Sequence, residues 1–193
     1  SVSRGLGDVY KRQCVQPAKL NNIPVRLLST LDPSAKGTLI DNMAADHTIK
    51  AVAAKDGITA IRVKSSRMLL AYGFMSKVFE IFEAHKTPID MVTVSEVGVS
   101  VTVDNERNLE SIIAELRKFG TVTIDHDMVI ICVVGDLEWQ NRGFEAKALA
   151  ALKDIPVRMI SYGGSNCNIS FLIRKEDKVA ALAKLSEELF NRQ

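Results

Sequence analysis

Apolar positions follow a helical period in two separate parts of the chain, and each helical part leads into a strand-like segment that starts at a proline. The helical faces carry apolar residues at i, i+4, i+7 and i+8, a spacing that places them on one side of a helix. They are Phe74, Val78, Ile81 and Phe82 in the first part, and Phe144, Ala148, Ala151 and Leu152 in the second. The strand-like segments begin at Pro88 and Pro156. The pattern therefore predicts an internal duplication of one small α/β unit.

Two predicted strands and a second amphipathic helix follow the first helix of each unit. Short polar turns separate the two strands. The strands are predicted at residues 89–94 and 97–103 in the first unit, and at residues 157–162 and 168–173 in the second. The second helices are marked by apolar residues with helical spacing within residues 109–116 and 179–189. Asp104 and Asn105 precede the first of these helices and Asp177 precedes the second, and these residues are predicted to cap them.

One further strand at each side completes the predicted topology. Residues 68–71 and 128–134 are predicted as the opening strands, and residues 121–125 as the last strand of the first unit. The second unit contains no such last strand, so residues 58–63 are predicted to pair there, while residues 49–55 are predicted as a short connecting helix. The sequence thus predicts an α+β fold of two βαββαβ units, the first inserted into the second, each with its helices on one face of an antiparallel sheet.

Composition and charge narrow the class of protein. The chain has 193 residues, 47% of them hydrophobic, and a formal net charge of +2, which is typical of one or two globular domains. A near-neutral charge argues against nucleic-acid binding, which needs a basic surface, and the predicted middle strands lack the stacking aromatics of RNA-binding domains. The sequence has neither an apolar run of roughly 18 residues nor a secretory signal. We expect a cytoplasmic protein that binds neither nucleic acid nor membrane.

Cysteine and histidine residues are few and scattered. Cys14, Cys132 and Cys167 are odd in number and have no CxxC spacing, which argues against a disulfide framework or a thiolate zinc site. The sequence Asp125-His126-Asp127 could suggest a metal site. Neighbouring residues on a strand point to opposite faces, however, which favours a solvated strand end. We therefore expect no metal.

The first quarter of the chain differs from the duplicated part. A strand is predicted at residues 22–28 and a loop at residues 32–38, but a single strand cannot bury both of its faces alone. We expect residues 14–57 to be the end of a larger α/β domain with its linker. Residues 1–13 show no periodicity and are similar to a translated sequencing adaptor, so we expect a non-native leader there.

Several short motifs together resemble a known family. They are Ile23-Pro24-Val25, Asp32-Pro33, Gly37-Thr38-Leu39, Gly73-Phe74-Met75, Thr93-Val94-Ser95-Glu96-Val97 and Tyr162-Gly163-Gly164-Ser165. Between Val15 and Phe190 the chain resembles the C-terminal part of aspartate kinases, in which the end of the kinase domain precedes two ferredoxin-like ACT domains. The resemblance implies a kinase-domain remnant at residues 14–57, a first ACT domain at residues 66–126, and a second at residues 58–65 plus 127–193.

The resemblance also implies what the chain does and what it lacks. The complete enzyme of this family phosphorylates the β-carboxylate of aspartate with ATP and Mg, the first step towards lysine, threonine and methionine. The family's Lys-Phe-Gly-Gly-Thr-Ser signature is absent here, so we expect no catalytic residue and no cofactor in this chain. We expect a regulatory region that binds an end-product amino acid, most of all lysine, and reports to the missing kinase domain. The alternative is a stand-alone ACT module for amino-acid binding or oligomerisation.

Seven residues correspond to effector contacts of lysine-sensitive members of the family: Met68, Gly73, Phe74, Met75, Asp90, Ser95 and Glu96. A helix starting after Gly73 would offer unpaired N–H groups to the effector carboxylate, and Asp90 and Glu96 would accept hydrogen bonds from its ammonium groups. Purely structural roles remain open, since Met68 and Phe74 suit a core and Ser95-Glu96 suits a turn. Leu70 and Ala71 stand where polar residues tend to occur in the family, which leaves the effector's identity open.

The second unit differs from the first at one informative position. Arg158 stands where the first unit has Asp90, so we expect the second unit to be structural, with a role in docking on the kinase domain. ACT domains commonly pair side by side, and an exposed sheet edge favours such pairing. We therefore expect a homodimer that forms through the first unit.

Overall fold

The computed structural model describes residues 15–41, 49–65, 72–137 and 143–190. The chain divides into an N-terminal segment, residues 1–45, and a C-terminal region, residues 46–193. In the N-terminal segment, residues 15–20 form helix α1, and strands β1 (Val25–Leu27) and β2 (Thr38–Ile40) pair antiparallel. β1 lies within the predicted strand. The described part of this segment thus contains one helix and one two-stranded sheet.

The C-terminal region contains a six-stranded antiparallel sheet in the order β4-β5-β3-β6-β8-β7. Its elements are β3 (Ile49–Lys64), α2 (Phe74–Ala84), β4 (Val92–Ser95), β5 (Gly98–Val103), α3 (Leu109–Leu116), β6 (Thr121–Gly135), α4 (Phe144–Ala151), β7 (Met159–Ser161), β8 (Asn168–Arg174), a single 3-10 turn (Lys175–Asp177) and α5 (Lys178–Phe190). In the part of the chain described by the structure, no helix is long and apolar enough to cross a membrane.

Strands β3 and β6 each belong to both predicted units. Their registers shift between Lys55 and Ala60, where both strands pass from one unit to the other. The first unit has the order β4-β5-β3-β6 and uses residues 59–64 of β3 and 121–125 of β6, whereas the second has the order β3-β6-β8-β7 and uses residues 49–55 of β3 and the other end of β6. Each is a ferredoxin-like βαββαβ unit, and the first lies between the two parts of the second. The predicted fold class is confirmed.

Two predictions about the strands before the first helix are wrong. Residues 58–63 were expected to complete the second unit, but residues 59–64 pair with β5 and open the first. Residues 49–55 were expected to form a helix, but they form the half of β3 that completes the second unit by pairing with β6. This alanine-rich segment has no strong period of its own, and its strand partner decides its conformation. The strand predicted at residues 68–71 lies outside the described residues.

Each unit has its own hydrophobic core between its helices and the sheet. Phe82 and Leu116 are fully buried in the first core, and Phe171 and Leu185 in the second. A third cluster lies on the opposite sheet face, because Ala60 and Ile130 alternate with residues that point into the two cores. Its members are Ile58, Ala60, Met91, Met128, Ile130, Met159 and Leu172. This cluster therefore covers the part of the sheet where the two units meet.

Candidate functional site

The start of helix α2 depends on a glycine in a left-handed conformation. Gly73 precedes the helix with φ of 82°, and no side chain caps the first turn. Gly143 has φ of 92° at the equivalent place before α4. A Cβ added to Gly73 would meet no atom within 4 Å, so the glycine is required by its backbone conformation and not by crowding. The first N–H groups of α2 have neither an intrahelical acceptor nor a side-chain cap, which is favourable for binding a carboxylate.

Replacing Gly73 with alanine tests this conformational requirement. An L-residue pays about 1–2 kcal/mol in the left-handed region, so we expect Gly73→Ala to lower the free energy of unfolding by about 1 kcal/mol in chemical denaturation. Gly164→Ala is the matched control, because Gly164 has no left-handed φ and also has open space around it. Equal stability of the two variants would contradict the requirement.

The two residues after Gly73 contribute to the core of the first unit. Phe74 is only 8% exposed and packs among the buried side chains of α2, α3 and the sheet. Met75 is partly buried against the same core. Their side chains are thus held in place by packing. Met68, together with Leu70 and Ala71, lies outside the described residues.

Ser95 and Glu96 lie at the end of β4, in the turn that leads to β5. Both are exposed, and the Ser95 hydroxyl donates a hydrogen bond of 3.3 Å to the carbonyl of Gly98. This contact stabilises the hairpin turn, so the structural role considered for Ser95 is present in the fold. The Glu96 carboxylate extends from an exposed turn, where it is accessible to a cation.

Asp90 lies at the other end of β4 and is already paired with an ammonium group. Its carboxylate accepts a hydrogen bond of 2.6 Å from Lys55 Nζ, which also contacts Asp104 Oδ2 at 2.8 Å. Partial burial acts to lower the pKa of Lys55, but hydrogen bonds and charge attraction from Asp104 and Asp90 outweigh it and raise the pKa above its ordinary value. Lys55 therefore keeps its positive charge at neutral pH.

The predicted site residues consequently form two groups at opposite ends of strand β4. Ser95 pairs with Gly98 next to Lys64, the residue that ends β3 before α2 starts, whereas the backbone N–H of Asp90 bonds to Thr102 O near the far end of β5. The four residues of β4 span ~13 Å. One end of β4 carries Ser95 and Glu96 and lies on the side where α2 starts with Gly73, Phe74 and Met75. Asp90 lies alone at the other end.

Sequence reasoning missed Lys55 and Asp104 as partners of Asp90. Asp104 was predicted to cap α3, but α3 starts at Leu109 after Asn108, and Asp104 contacts Lys55 instead. Lys55 was placed in the predicted connecting helix. Because Lys55 and Asp90 are 35 residues apart, only the strand pairing of β3 brings them together, and no local pattern reveals that pairing.

The equivalent position in the second unit has the opposite charge. Arg158 donates a hydrogen bond of 2.7 Å from Nε to Asp125 Oδ2, and its backbone N–H bonds to Leu172 O as that of Asp90 bonds to Thr102 O. Arg62, Arg158 and Arg174 line an open cleft of about 1100 Å³ beside this ion pair. At this position the second unit thus has the guanidinium group of Arg158, whereas the first unit has the carboxylate of Asp90.

The three side chains of the Asp125-His126-Asp127 segment each contact a different partner. Asp125 pairs with Arg158, His126 with Glu106 at 2.8 Å, and Asp127 lies 4.0 Å from Lys175. Hydrogen bonds from Thr59 and His126 lower the pKa of Glu106. Among the residues that the structure describes, no three His, Cys, Asp or Glu side chains are grouped as metal ligands.

Comparison with known proteins gives consistent matches. A family model described as an ACT domain matches residues 131–189. A solved C-terminal regulatory domain of aspartate kinase from Porphyromonas gingivalis W83 is 60% identical with a TM-score of 0.68, and the match covers 74% of this chain and 99% of that one. The structure of Escherichia coli aspartokinase III in complex with lysine and aspartate is 32% identical with a TM-score of 0.80, over 93% of this chain and 42% of that one.

Among curated relatives, lysine-sensitive aspartokinase 3 of Escherichia coli K12 is 30% identical in an alignment of 183 positions that covers 90% of this chain. The chain spans 34% and 41% of the length of the first two curated relatives that it matches. The match to the solved regulatory domain, by contrast, covers nearly all of that domain at high identity. Together with the two ferredoxin-like units, these matches show that the chain belongs to the family of C-terminal, ACT-containing regulatory regions of aspartate kinase.

Proposed function

We propose that this chain binds an end-product amino acid, lysine in particular, and passes its presence to an aspartate kinase domain as allosteric feedback inhibition. The complete protein then catalyses ATP-dependent phosphorylation of L-aspartate to 4-phospho-L-aspartate, with ATP and Mg bound by the kinase domain. The observation that carries the proposal is the Asp90 carboxylate, which holds an ammonium group at 2.6 Å in the folded chain. The Escherichia coli relative with a TM-score of 0.80 was solved with lysine bound.

The chemistry of the site suits a diamino acid. The uncapped start of α2 offers N–H donors to the α-carboxylate. Asp90 and Glu96 are two separate acceptors for ammonium groups, and charge-assisted hydrogen bonds of this kind are about twice as strong as neutral ones. Lysine carries two ammonium groups, whereas threonine and methionine carry one. This difference supports lysine over the other end products.

The separation of the two groups of residues supports a site shared between two protomers. A lysine molecule is shorter than the ~13 Å that separates the ends of β4. Two β4 strands that pair antiparallel about a two-fold axis near Thr93 would bring Asp90 of each protomer close to Ser95 and Glu96 of its partner. The outer edge of β4 is unpaired within the described residues, and Val94 is 56% exposed there. We therefore propose a homodimer through the first unit.

The second unit has a structural role in this proposal. Arg158 repels an ammonium group at the position equivalent to Asp90 and is bound to Asp125. The cleft beside it carries both signs of charge, since arginine side chains line it together with Asp125, Asp127 and Glu176, and such a lining suits a partner surface that also carries both signs. We propose that this side of the second unit docks on the kinase domain.

Calorimetric titration of the chain with lysine tests the proposal. We expect saturable heat with lysine and none with threonine or methionine. Asp90→Asn keeps the shape but removes the charge, and we expect about tenfold weaker lysine binding, since hydrogen bonds between charged groups contribute about 1.5–3 kcal/mol. Asp154→Asn is the matched control, because it breaks an exposed ion pair of 2.6 Å with Lys184 away from the site. A folded protein that gives no heat would leave oligomerisation as the function.

A further inference from the structure

The charged residues around Asp90 recur in the second unit with every sign reversed. Residue numbers of equivalent positions differ by 70 in the strands and by 68 before β4 and β7. Lys55 and Asp104 lie around Asp90 of the first unit, and Asp125 and Arg174 stand at the equivalent positions around Arg158 of the second. In each set the residue before the edge strand is paired with the residue at the bend of a long strand, at 2.6 Å in one case and 2.7 Å in the other.

Each of these ion pairs joins the two units to each other. Lys55 is opposite Ile130 on the half of β3 that belongs to the second unit, whereas Asp90 precedes β4 of the first. Asp125 is opposite Ala60 at the end of the first unit's part of β6, whereas Arg158 precedes β7 of the second. The two ion pairs therefore lie at equivalent positions and link the two units across the bend of the sheet.

We propose that Lys55 competes with the effector for Asp90: the ammonium group of the effector takes the place of the Lys55 ammonium on Asp90 Oδ1 and breaks this ion pair between the two units. This inference rests on the proposed role of Asp90 as an effector contact. It identifies a regulatory residue that contacts the binding site from the second unit.

The geometry and exposure of Lys55 suit this exchange. Its side chain is 46% exposed and can move into solvent, and the Asp90 side chain is 26% exposed and accessible from outside. An ion pair this exposed contributes little stability, so a ligand ammonium with further contacts of its own can replace it. Asp104, at 2.8 Å, keeps Lys55 nearby after displacement.

Because the charges are reversed in the second unit, the ammonium group of the effector breaks the ion pair of Asp90 with Lys55 but not the ion pair of Arg158 with Asp125. At the position equivalent to Asp90 the second unit has the Arg158 guanidinium, which repels an ammonium group, so its ion pair with Asp125 stays closed when the effector binds. Binding then breaks one of the two equivalent ion pairs at the bend of β3 and β6 and leaves the other in place. Because the effector binds the open form better than the closed form, it shifts the population of the two arrangements, and the coupling is reciprocal.

Replacing Lys55 with methionine removes the competitor and keeps the aliphatic stem. We expect lysine to bind Lys55→Met about two- to fivefold more tightly than the unmodified chain, the range given by loss of an exposed ion pair. Lys55→Arg keeps a positively charged competitor for Asp90 and is expected to bind lysine no more tightly than the unmodified chain. Arg158→Met is the matched control, because it opens the other link without touching Asp90. Lys55→Gln serves as a second variant should Lys55→Met fold poorly.

Hydrogen exchange gives a second readout. Lysine should accelerate amide exchange in residues 49–55 of the unmodified chain, and Lys55→Met should show that faster exchange before lysine is added. If lysine binds and Asp90→Asn weakens it, but Lys55→Met binds lysine equally or less tightly, the competitor role is wrong while the effector site stands. If the unmodified chain does not bind lysine, the proposed function itself fails.

Discussion

Phe82→Ala lowers the free energy of unfolding by about 3–5 kcal/mol, and Leu152→Ala lowers it by about 2–5 kcal/mol, because each leaves a cavity in a closely packed core. The two residues are equivalent in the two units, on α2 and just after α4, and each is 2% exposed. Phe79→Ala is the matched control on α2, since Phe79 is 39% exposed. We expect the control to cost about 1 kcal/mol or less.

We also expect the two core variants to destabilise the same unfolding transition, because the two units unfold together. β3 and β6 each run through both units of the six-stranded sheet, so neither unit can lose its central strands while the other keeps them. Chemical denaturation followed by circular dichroism should show a single step for both variants. Amide exchange in residues 99–103 and 169–173 should report equal opening free energies. Two separate steps, one per unit, would contradict this coupling.

The duplicated pattern was enough to predict most of the fold. The helical faces of Phe74, Val78, Ile81 and Phe82 are buried as the period requires, and strands β4, β5, β7 and β8 overlap the predicted ones. What failed was the assignment of residues 49–63, whose partner strands β5 and β6 are distant in sequence, from Val99 opposite Val63 to Gly135 opposite Ile49. A short alanine-rich segment such as Ala51 to Ala54 carries no period that separates helix from strand, so only β6 determines its conformation.

The candidate site could be predicted only in part for a similar reason. Gly73 and Asp90 can be found because each stands at a recognisable boundary, a helix start and a strand start. Lys55 and Asp104 are brought to Asp90 by strand pairing across the bend, which is a long-range feature. Asp90 and Glu96 are only six residues apart in the sequence. That they lie at opposite ends of β4 is seen only from the pairing of β4 with β5.

Val94→Pro should separate the proposed dimer into monomers. In the hairpin of β4 and β5, the Thr102 N–H donates to Met91 O, and the alternation of an antiparallel ladder then turns the N–H groups of Val92 and Val94 outward. Proline at position 94 therefore removes a donor from the outer edge of β4 without breaking the inner ladder, and edge strands tolerate proline.

By two-fold symmetry the substitution removes two hydrogen bonds from each dimer, at about 1 kcal/mol each, and adds the bulk of two proline rings between the strands. We expect dimer affinity to fall about a hundredfold, measured by sedimentation equilibrium over a range of concentrations. Val94→Thr keeps the N–H and should remain dimeric. Because Asp90 and Glu96 lie at opposite ends of β4, the monomer formed by Val94→Pro should also lose lysine binding. A folded Val94→Pro monomer that still binds lysine would place the whole site within one protomer, and an intact dimer would move the interface away from β4.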